Sequence, residues 1–330
     1  MAYNNVISRT DAAALVPEDV SAEVLKAVPE QSTVMRLARK LPNMSRAQRR
    51  LPLMSVLPSA YFVSGDISRK QTTEINWANR YIDAEELAVI VPIPEAVLDD
   101  VNYDIWGEVK PALVEALGIA IDQAVLYGTN IPSSWSTNLG EAATPRAGLL
   151  ARCTAASHTI SLAAYTDMYE ALLGKSAGGA AGLCGLIEQD GYMSSGCVCH
   201  LTVRAELRNT RDTLGQPIFR MVTGLDGKAR FEMDGNECLF PRNGAIDSAE
   251  SLVICGDWNQ LLFAMRQDIT YKVLDQAVIT DAQGAILYNL AQQDMVALRC
   301  VMRCGFALPN PINRVNSTEL TRCPFAILTA

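Results

Sequence analysis

The residues best suited to nucleophilic or metal chemistry are two thiols and an imidazole in the run Cys197-Val198-Cys199-His200. A thiol beside an imidazole is the pairing that nucleophilic cysteine enzymes use, so a hydrolase that uses Cys197 or Cys199 with His200 is one hypothesis. The run follows the pattern of a buried strand, where an imidazole more often has a structural role. Neither of the two histidines, His158 and His200, lies in a catalytic motif, so we predict no catalytic residue.

The other chemical motifs are incomplete. Cys300 and Cys304 lie four residues apart in a predicted strand, about 13 Å, which is too far to share a metal ion or a disulfide. Gly174-Lys175-Ser176 resembles the end of a phosphate-binding loop, but the loop requires glycine where Tyr169 stands. We therefore expect no metal and no cofactor. The chain has nine cysteines, an odd number without a repeated spacing, and we interpret them as free thiols that fill the core.

Composition narrows the class of protein. The 330 residues are 49% apolar and 19% charged, which is typical of a packed globular protein rather than a disordered one. The net charge of −8 argues against a basic protein that coats nucleic acid. No apolar run reaches the roughly 18 residues that a membrane span needs, and the N-terminus lacks a signal-peptide pattern. We therefore expect synthesis in a reducing cytoplasm.

A basic segment stands out near the N-terminus. Residues 31–65 contain no acidic residue, and removing the six positive charges of this segment from the net charge of −8 leaves −14 for the remainder. One interpretation, which we favour, is a solvated or intersubunit arm; the other is an arm that contacts the phosphates of packaged nucleic acid. The six residues are Arg36, Arg39, Lys40, Arg46, Arg49 and Arg50.

A long hairpin is predicted directly after the arm, over residues 51–83, with its turn at Gly65-Asp66. A two-stranded ribbon is marginally stable alone in water, so its apolar side chains need a surface to cover them. We expect that surface to belong to a neighbouring subunit. The candidate interface residues are Leu53, Val56, Tyr61, Phe62 and Trp77.

The elements that position these segments are a strand, a helix and a second strand. Residues 86–93 alternate as a strand, and residues 104–127 form the longest helix pattern, with Asn102 or Asp104 as N-cap and Gly128 after its end. Pro111 predicts a kink or a late start in that helix. Residues 296–308 alternate so regularly that we expect the even positions to be buried and the odd ones to be exposed.

Taken in order, these parts resemble the major capsid proteins of tailed bacteriophages, which have the Hong Kong 97-type fold. The resemblance covers nearly the whole chain and rests on the order of its segments more than on a strict motif. The segments include ELAVIVPIPEAVLDD at 86–100, DQAVLYGT at 122–129, CVCHLTVRAELRNTRD at 197–212, GDW at 256–258 and DMVALRCVMRCGFALPNP at 294–311.

The resemblance implies an α+β capsid fold and a division of the chain. It implies an N-terminal arm (1–50), an extended hairpin loop (51–83), a peripheral domain (84–146 and 263–308) with its spine helix at 104–127, an axial domain (147–262) and a C-terminal tail (309–330).

It also implies a protein that assembles with itself, as pentamers and hexamers, into an icosahedral shell around double-stranded DNA. The other partners would be a separate scaffolding protein, a portal and decoration proteins, with non-specific contact to DNA and no membrane. The protein would be made in the bacterial host cytoplasm and end in the virion. An encapsulin-like nanocompartment built on the same fold is the alternative, distinguished by a cargo enzyme inside instead of DNA.

Overall fold

The computed structural model describes residues 31–63, 69–70, 72–100, 105–139, 148–174, 181–212, 214–217, 219–223, 229–281 and 283–330. The predicted turn at Gly65-Asp66 and the predicted N-caps Asn102 and Asp104 lie outside these ranges. No helix among the described residues is long and apolar enough to cross a lipid bilayer.

The described chain contains one long helix, several short ones and many strands. The helices are α1 (Thr33–Leu37), α2 (Glu95–Asp100), α3 (Ile105–Tyr127), α4 (Ser133–Asn138), α5 (Leu149–Ala155), α6 (Met168–Leu173), α7 (Leu183–Gln189) and α8 (Arg204–Asn209). The strands are β1 (Arg39–Lys40), β2 (Gln48–Val56), β3 (Asn76–Asp83), β4 (Glu85–Pro94), β5 (Thr159–Ser161), β6 (Gly196–Cys199), β7 (Phe219–Thr223), β8 (Ala229–Met233), β9 (Asn236–Leu239), β10 (Val253–Gly256), β11 (Leu262–Leu274), β12 (Val278–Thr280), β13 (Ile286–Asn289), β14 (Met295–Ala307) and β15 (Phe325–Thr329).

One sheet forms the body that holds the predicted spine helix. Its strand order is β1-β11-β14-β4, with β14 antiparallel to both of its neighbours. Helix α3 packs on it through Leu117 and Ile121, which join Phe263 and Phe306 in one buried cluster. The apolar face of the amphipathic helix and the apolar face of the alternating strand therefore pack against each other, as the two sequence patterns predict.

The prediction that the odd positions of residues 296–308 are exposed is wrong for most of the strand, because only Arg299 among them is exposed. Ala297, Val301 and Ala307 occupy odd positions and are buried. Ile82 of the ribbon strand packs with Ala307 in a second small cluster, and a side chain at Gly305 would collide with the carbonyl of Asp83. The base of the ribbon covers the face that the alternation alone would leave in solvent.

A second sheet of seven strands, ordered β5-β15-β10-β6-β9-β8-β7, builds the rest of the molecule. Strand β15 pairs antiparallel with β10 and parallel with β5. The last strand of the predicted C-terminal tail, 309–330, lies inside the sheet of the segment predicted as the axial domain. The burial of residues 325–328 between the two neighbouring strands explains why the tail is apolar at its end.

Two of the nine cysteines are not free thiols, which corrects the interpretation of all nine as core filler. Strands β6 and β10 pair antiparallel with Cys197 directly opposite Cys255, and the two residues form a disulfide with their Cα atoms 4.2 Å apart. The two cysteines are 58 residues apart in sequence, and this spacing did not predict the disulfide. The register of β6 and β10 brings them together. The other seven cysteines are free and buried.

The spine helix runs without interruption through Pro111, so the predicted late start is wrong. Gly128 follows its end with φ of +71°, the left-handed conformation that glycine adopts at helix ends. At Gly118 the start of α1 approaches so closely that a Cβ atom would lie 3.0 Å from the backbone nitrogen of Ser32. The absence of a side chain at this position lets the first described helix rest on the spine helix.

A buried polar network holds the C-terminal region in place. Arg322 is 2% exposed, and its guanidinium donates to the Asn310 carbonyl (2.8 Å), the Asn316 carbonyl (2.9 Å) and Asn310 Oδ1 (3.2 Å). Asp190 accepts from the backbone nitrogen of Cys323 (2.6 Å). The other buried arginine, Arg152, donates to the carbonyls of Glu319 and Arg322. These bonds satisfy charged groups that burial would otherwise penalise heavily.

Candidate assembly surfaces

The ribbon is a two-stranded sheet of its own. Strands β2 and β3 pair antiparallel with each other, from Gln48 opposite Asp83 to Val56 opposite Asn76, and with no other described strand. The ribbon begins at Gln48, three residues before the predicted boundary, so Arg49 and Arg50 belong to it and not to the arm that precedes it. Both faces of such a ribbon lack a covering layer over most of its length.

The five candidate interface residues do not share one face. Leu53 stands opposite Ala78, whereas Trp77 stands opposite Met54, so the side chains of Leu53 and Trp77 point to opposite sides of the ladder. A register shift after Met54 returns Val56 to the side of Leu53. The ribbon therefore carries apolar side chains on two sides.

The five residues differ widely in exposure. Leu53 is half-buried, Val56 and Tyr61 are 37% and 43% exposed, Trp77 is 69% exposed and Phe62 is fully exposed. Apolar side chains of this size are mostly buried in soluble monomers, and clusters of exposed ones mark interaction sites. Phe62, which follows β2, and Trp77, on β3, are therefore the most exposed of the five candidate interface residues.

The ribbon is tied to the C-terminal region at two points, one within β3 and one just after the end of β2, and the sequence did not indicate either contact. The Arg314 guanidinium donates to the Pro58 carbonyl (2.6 Å), and Arg80 forms an ion pair with Glu319. Both contacts join residues more than two hundred positions apart. They orient the ribbon relative to the body while its apolar side chains remain exposed.

A second exposed apolar hairpin was missed by the sequence interpretation. Strands β12 and β13 pair antiparallel, and Val278, Ile286 and Leu287 are each more than half exposed. The hairpin inserts between β11 and β14 and forms a separate two-stranded sheet. The consecutive apolar residues Ile286-Leu287-Tyr288 were a signal of it, because alternate residues of a strand in such a run must face solvent unless both faces are covered.

The six basic residues are distributed over four parts of the chain rather than along one arm. Arg36 lies on α1 and pairs with Glu237 at 2.7 Å; Arg39 and Lys40 are exposed on β1. Arg46 is exposed in the turn before the ribbon, and Arg49 donates to the carbonyls of Pro42 and Asn43 at 2.8 and 2.9 Å. Arg50 is exposed on β2. Two of the six thus have partners within the chain.

The start of the described chain is fastened to the spine helix by one buried carboxylate. Asp122 accepts from Ser32 Oγ (2.5 Å) and from the backbone nitrogens of Thr33 (2.9 Å) and Val34 (3.0 Å). Ser32 in turn accepts from the Met35 nitrogen as the N-cap of α1. Burial raises the pKa of Asp122 to about 6, and the three hydrogen bonds oppose that increase. The pKa of this carboxylate therefore lies well above that of an ordinary aspartate.

Comparison with known proteins agrees with this architecture. Residues 12–313 match the Phage capsid family. The chain belongs to the phage capsid family. It is 22% identical over 307 residues to the major capsid protein of Staphylococcus phage 80alpha, a match that covers 91% of this chain and 83% of that protein.

Solved structures from phages extend the family likeness to three dimensions. A chain from Microbacterium phage Oxtober96 has 29% identity and a TM-score of 0.78, with 98% of this chain and 99% of that chain covered. A chain from Mycobacterium phage Cain has 30% identity and a TM-score of 0.76, with 98% of each chain covered. The α+β prediction and the Hong Kong 97-type capsid fold are thereby confirmed.

The geometry around His200 does not favour the hydrolase hypothesis for this capsid-family chain. Cys197 is in a disulfide, and the His200 ring nitrogen Nδ1 lies 2.7 Å from Thr202 Oγ1, where it caps a short helical turn. Cys199 is buried, and its pKa is raised well above the ordinary value, first by a hydrogen bond with Cys238 and then by burial. A buried protonated thiol is a poor nucleophile.

The second histidine lies in the C-terminal network. His158 Nδ1 is 3.0 Å from the Phe325 carbonyl and Nε2 is 3.2 Å from Asp190, so both ring nitrogens already have partners in the fold. Within the described residues, no group of three or more His, Cys, Asp or Glu side chains is arranged to hold a metal ion.

Proposed function

We propose that this protein is the major capsid protein of a tailed double-stranded DNA bacteriophage, which assembles as pentamers and hexamers into an icosahedral shell around the genome. The observation that carries the proposal is the ribbon β2–β3, which pairs only with itself among the described strands and exposes Trp77, while Phe62 is exposed on the segment that follows β2. A neighbouring copy would cover both sides of it. Repeated heterologous contacts of this kind close into rings.

The proposal assigns the work of the protein to interfaces rather than to catalysis. Its partners are other copies of the chain, a scaffolding protein, a portal, decoration proteins and the packaged DNA, which it contacts without sequence preference. It is synthesised in the host cytoplasm and resides in the virion. The match to the phage capsid family favours this function over the encapsulin-like alternative.

Electron microscopy of the purified full-length protein tests the proposal. Negative staining of the protein, alone and after co-expression with its scaffolding protein, is expected to show closed shells with rings of five and six. Only monomers or isolated small rings under every condition would contradict it. Shells that hold an enzyme instead of DNA would favour the encapsulin-like alternative.

A ribbon variant and its matched control make the test specific. Replacing Phe62 and Trp77 together by serine is expected to leave a folded subunit that sediments as a monomer and forms no shells. Met193→Ser removes an apolar side chain of similar exposure from a loop between α7 and β6, and it is expected to assemble. Shells formed by the double variant would show that the ribbon is not the decisive interface.

A further inference from the structure

Two buried thiols meet where the C-terminal segment crosses α5. Cys153 lies on α5 and Cys323 lies two residues before β15, and both side chains are fully buried. Their Sγ atoms are 3.8 Å apart, although the two residues are 170 positions apart in sequence. Neither residue takes part in the disulfide of the fold. We call the two thiols the buried dithiol.

The surroundings of the buried dithiol hold both residues in place. The Cys323 backbone nitrogen donates to Asp190 Oδ2 at 2.6 Å, and Cys153 Sγ lies 3.4 Å from the Phe325 carbonyl oxygen. A disulfide has an S–S distance of about 2.05 Å, so the two sulfurs, now 3.8 Å apart, would have to approach by about 1.8 Å. Rotation of a cysteine side chain about its Cα–Cβ bond moves the sulfur by about that much. The pair is therefore within reach of a covalent bond.

The two sulfurs of the buried dithiol differ in acidity. Burial raises the pKa of Cys323, but the hydrogen bonds with Cys153 and with the Phe325 backbone, together with the charge of Arg152, outweigh burial, so this pKa lies below its ordinary value. Burial and the hydrogen bond with Cys323 raise the pKa of Cys153 well above its ordinary value. Cys323 is therefore the thiol that ionises first, and Cys153 is the thiol that keeps its proton.

Three other buried thiols have a different environment. Burial raises the pKa of Cys184 and of Cys304 to about 12. Cys199 shares a hydrogen bond with Cys238, but that bond and burial raise the pKa of Cys199 well above its ordinary value. Because the thiolate is the form that reacts with oxidants, protonated thiols of this kind react slowly. The buried dithiol instead joins a more acidic sulfur to a second sulfur in contact with it.

We propose that Cys153 and Cys323 form an oxidation site, at which a peroxide converts the two thiols to a disulfide that fastens the C-terminal segment to α5. The Cys323 thiolate attacks one oxygen of hydrogen peroxide, the O–O bond breaks, and the hydroxide that leaves takes up the proton released by Cys323 and becomes water. The Cys153 sulfur then attacks the sulfur of the resulting sulfenic acid, the S–O bond breaks, and the oxygen leaves with the Cys153 proton as a second water. The two sulfurs together lose two electrons, which the peroxide accepts.

The new disulfide would act on a strand inside the second sheet. Strand β15 lies between β5 and β10, and Cys323 precedes it by two residues. A disulfide that closes a long loop restricts the unfolded chain, and this one would also keep the segment beside α5 when the sheet opens locally. The inference concerns the single subunit and does not rest on the proposed function. In a virion, the reaction would follow release from the reducing host cytoplasm.

Peptide mapping by mass spectrometry tests the proposal. Unassembled full-length subunits are treated with hydrogen peroxide, which is small enough to reach a buried sulfur during local opening, and catalase then removes the excess. Free thiols are blocked in denaturant before digestion. A peptide that links Cys153 to Cys323 is expected in most treated subunits and in few untreated ones, with the loss of two hydrogens. The peptide that links Cys197 to Cys255 is expected in both samples.

Hydrogen exchange on the same samples measures whether the link fastens the segment. Amides of β15 are expected to exchange at least about tenfold more slowly in the linked subunit than in the untreated one. Addition of a dithiol reductant to the linked subunit is expected to restore the faster exchange. Equal exchange in linked and unlinked subunits would contradict the fastening role.

Single variants separate the roles of the two sulfurs. In Cys153→Ser, dimedone, a reagent for sulfenic acids, is expected to label Cys323 after peroxide treatment, because the second thiol is missing. In Cys323→Ser, Cys153 is expected to stay unoxidised. The matched control Cys304→Ser removes another fully buried thiol, on β14, and should still form the link. Protection of the amides of β6 and β10 reports folding, and an alanine variant replaces any serine variant that loses this protection.

Several results would overturn the proposal. One is the absence of the link after peroxide treatment of the folded subunit, and another is a link that forms only in urea that unfolds it. A link between Cys199 and Cys238, with Cys153 and Cys323 still free, would place the oxidation site elsewhere. A link between Cys153 of one subunit and Cys323 of another would make the reaction intermolecular. Each of these results leaves the assembly test of the proposed function unaffected, so the two proposals fail independently.

Discussion

Two tryptophans show how differently the ribbon and the body are built. Trp258 is 1% exposed, donates from Nε1 to the Gly196 carbonyl at 2.9 Å, and meets the ring of Phe325 edge-on at 5.1 Å between centroids. Trp77 is 69% exposed and stands in a ladder of two strands. The same side chain thus has a complete set of partners in one region and few in the other.

The difference separates the part of the chain whose side chains are satisfied within the subunit from the part that leaves large side chains exposed. The body satisfies even buried arginines through its own carbonyl groups. Under the proposed function, the ribbon would leave large apolar side chains exposed until a second copy buries them. A shell protein needs both kinds of region. The subunit must fold before assembly, and it must keep exposed apolar surface whose burial then favours assembly.

Replacing each tryptophan by alanine gives the largest contrast. Trp258→Ala is expected to lower the free energy of unfolding by about 3 to 5 kcal/mol, because it leaves a cavity and an unpaired carbonyl. Trp77→Ala is expected to change it by less than about 0.5 kcal/mol, as for other exposed sites. Urea unfolding of unassembled subunits, followed by circular dichroism, measures both.

Assembly should reverse this order. Trp77→Ala is expected to raise the protein concentration at which shells form, measured by light scattering, whereas the residual folded Trp258→Ala subunit should assemble at the normal threshold. A ribbon tryptophan that contributed as much to subunit stability as the core one would break the contrast between the regions.

Removing a buried charge from the body has the next largest effect. Arg322→Ala is expected to cost about 3 kcal/mol of unfolding free energy, because it leaves the carbonyls of Asn310 and Asn316 without a donor. The matched variant Arg299→Ala removes an exposed arginine from β14 and should cost less than about 0.5 kcal/mol. Equal losses in the two variants would show that the C-terminal network does not depend on Arg322.

Local pattern predicted the elements of both regions but not the contacts between them. The alternation in residues 86–93 and the helix pattern in 104–127 each reflect one face of one element packed on the core, and both elements formed. The cover on Ala307 came from Ile82, over two hundred residues away, so no period within β14 contained it. The disulfide between Cys197 and Cys255 depends on strand register in the same way.

The sequence predicted which apolar residues form the candidate interface, but it did not predict which side of the ribbon each of them faces. Apolar residues in a hairpin indicated a surface that needs a partner, and exposure of Phe62 and Trp77 agrees with that expectation. Leu53 and Trp77 point to opposite sides because the ladder pairs Trp77 with Met54, the neighbour of Leu53, and a later register shift returns Val56 to the side of Leu53. Likewise, the cluster of six positive charges in the sequence did not predict the ion pair of Arg36 with Glu237, because Glu237 lies on a hairpin that is distant in sequence.

The buried Asp122 makes the anchoring of the arm depend on pH. Its pKa of about 6 in the folded protein exceeds the ordinary value of 3.8, so the folded state binds the proton more tightly than the unfolded state. The resulting stabilisation is complete below about pH 4 and is lost as the pH rises through 6. The total change is at most about 3 kcal/mol. Urea unfolding at pH 4 and at pH 7 measures it.

The variant Asp122→Asn isolates this contribution, since every other titrating group is shared with the wild type. The loss of stability between pH 4 and pH 7 should be smaller in the variant by up to that amount. An identical pH dependence in both proteins would mean that the carboxylate is not buried at the start of the arm, and the arm would then resemble the ribbon rather than the body.

The smallest effect is expected where the two regions meet, at the ion pair of Arg80 with Glu319. Their side chains are 37% and 56% exposed, and solvent screening reduces such pairs to about 0.5 kcal/mol or less. Arg80→Ala should therefore leave the free energy of unfolding nearly unchanged. It should speed hydrogen exchange at the base of β3, because one of the two ties that orient the ribbon is gone. Arg314→Ala, which removes the bond to the Pro58 carbonyl, is the paired variant. If either substitution lowered the unfolding free energy as much as Arg322→Ala does, the ribbon would be part of the folded body, and its separate role as a surface for neighbours would be wrong.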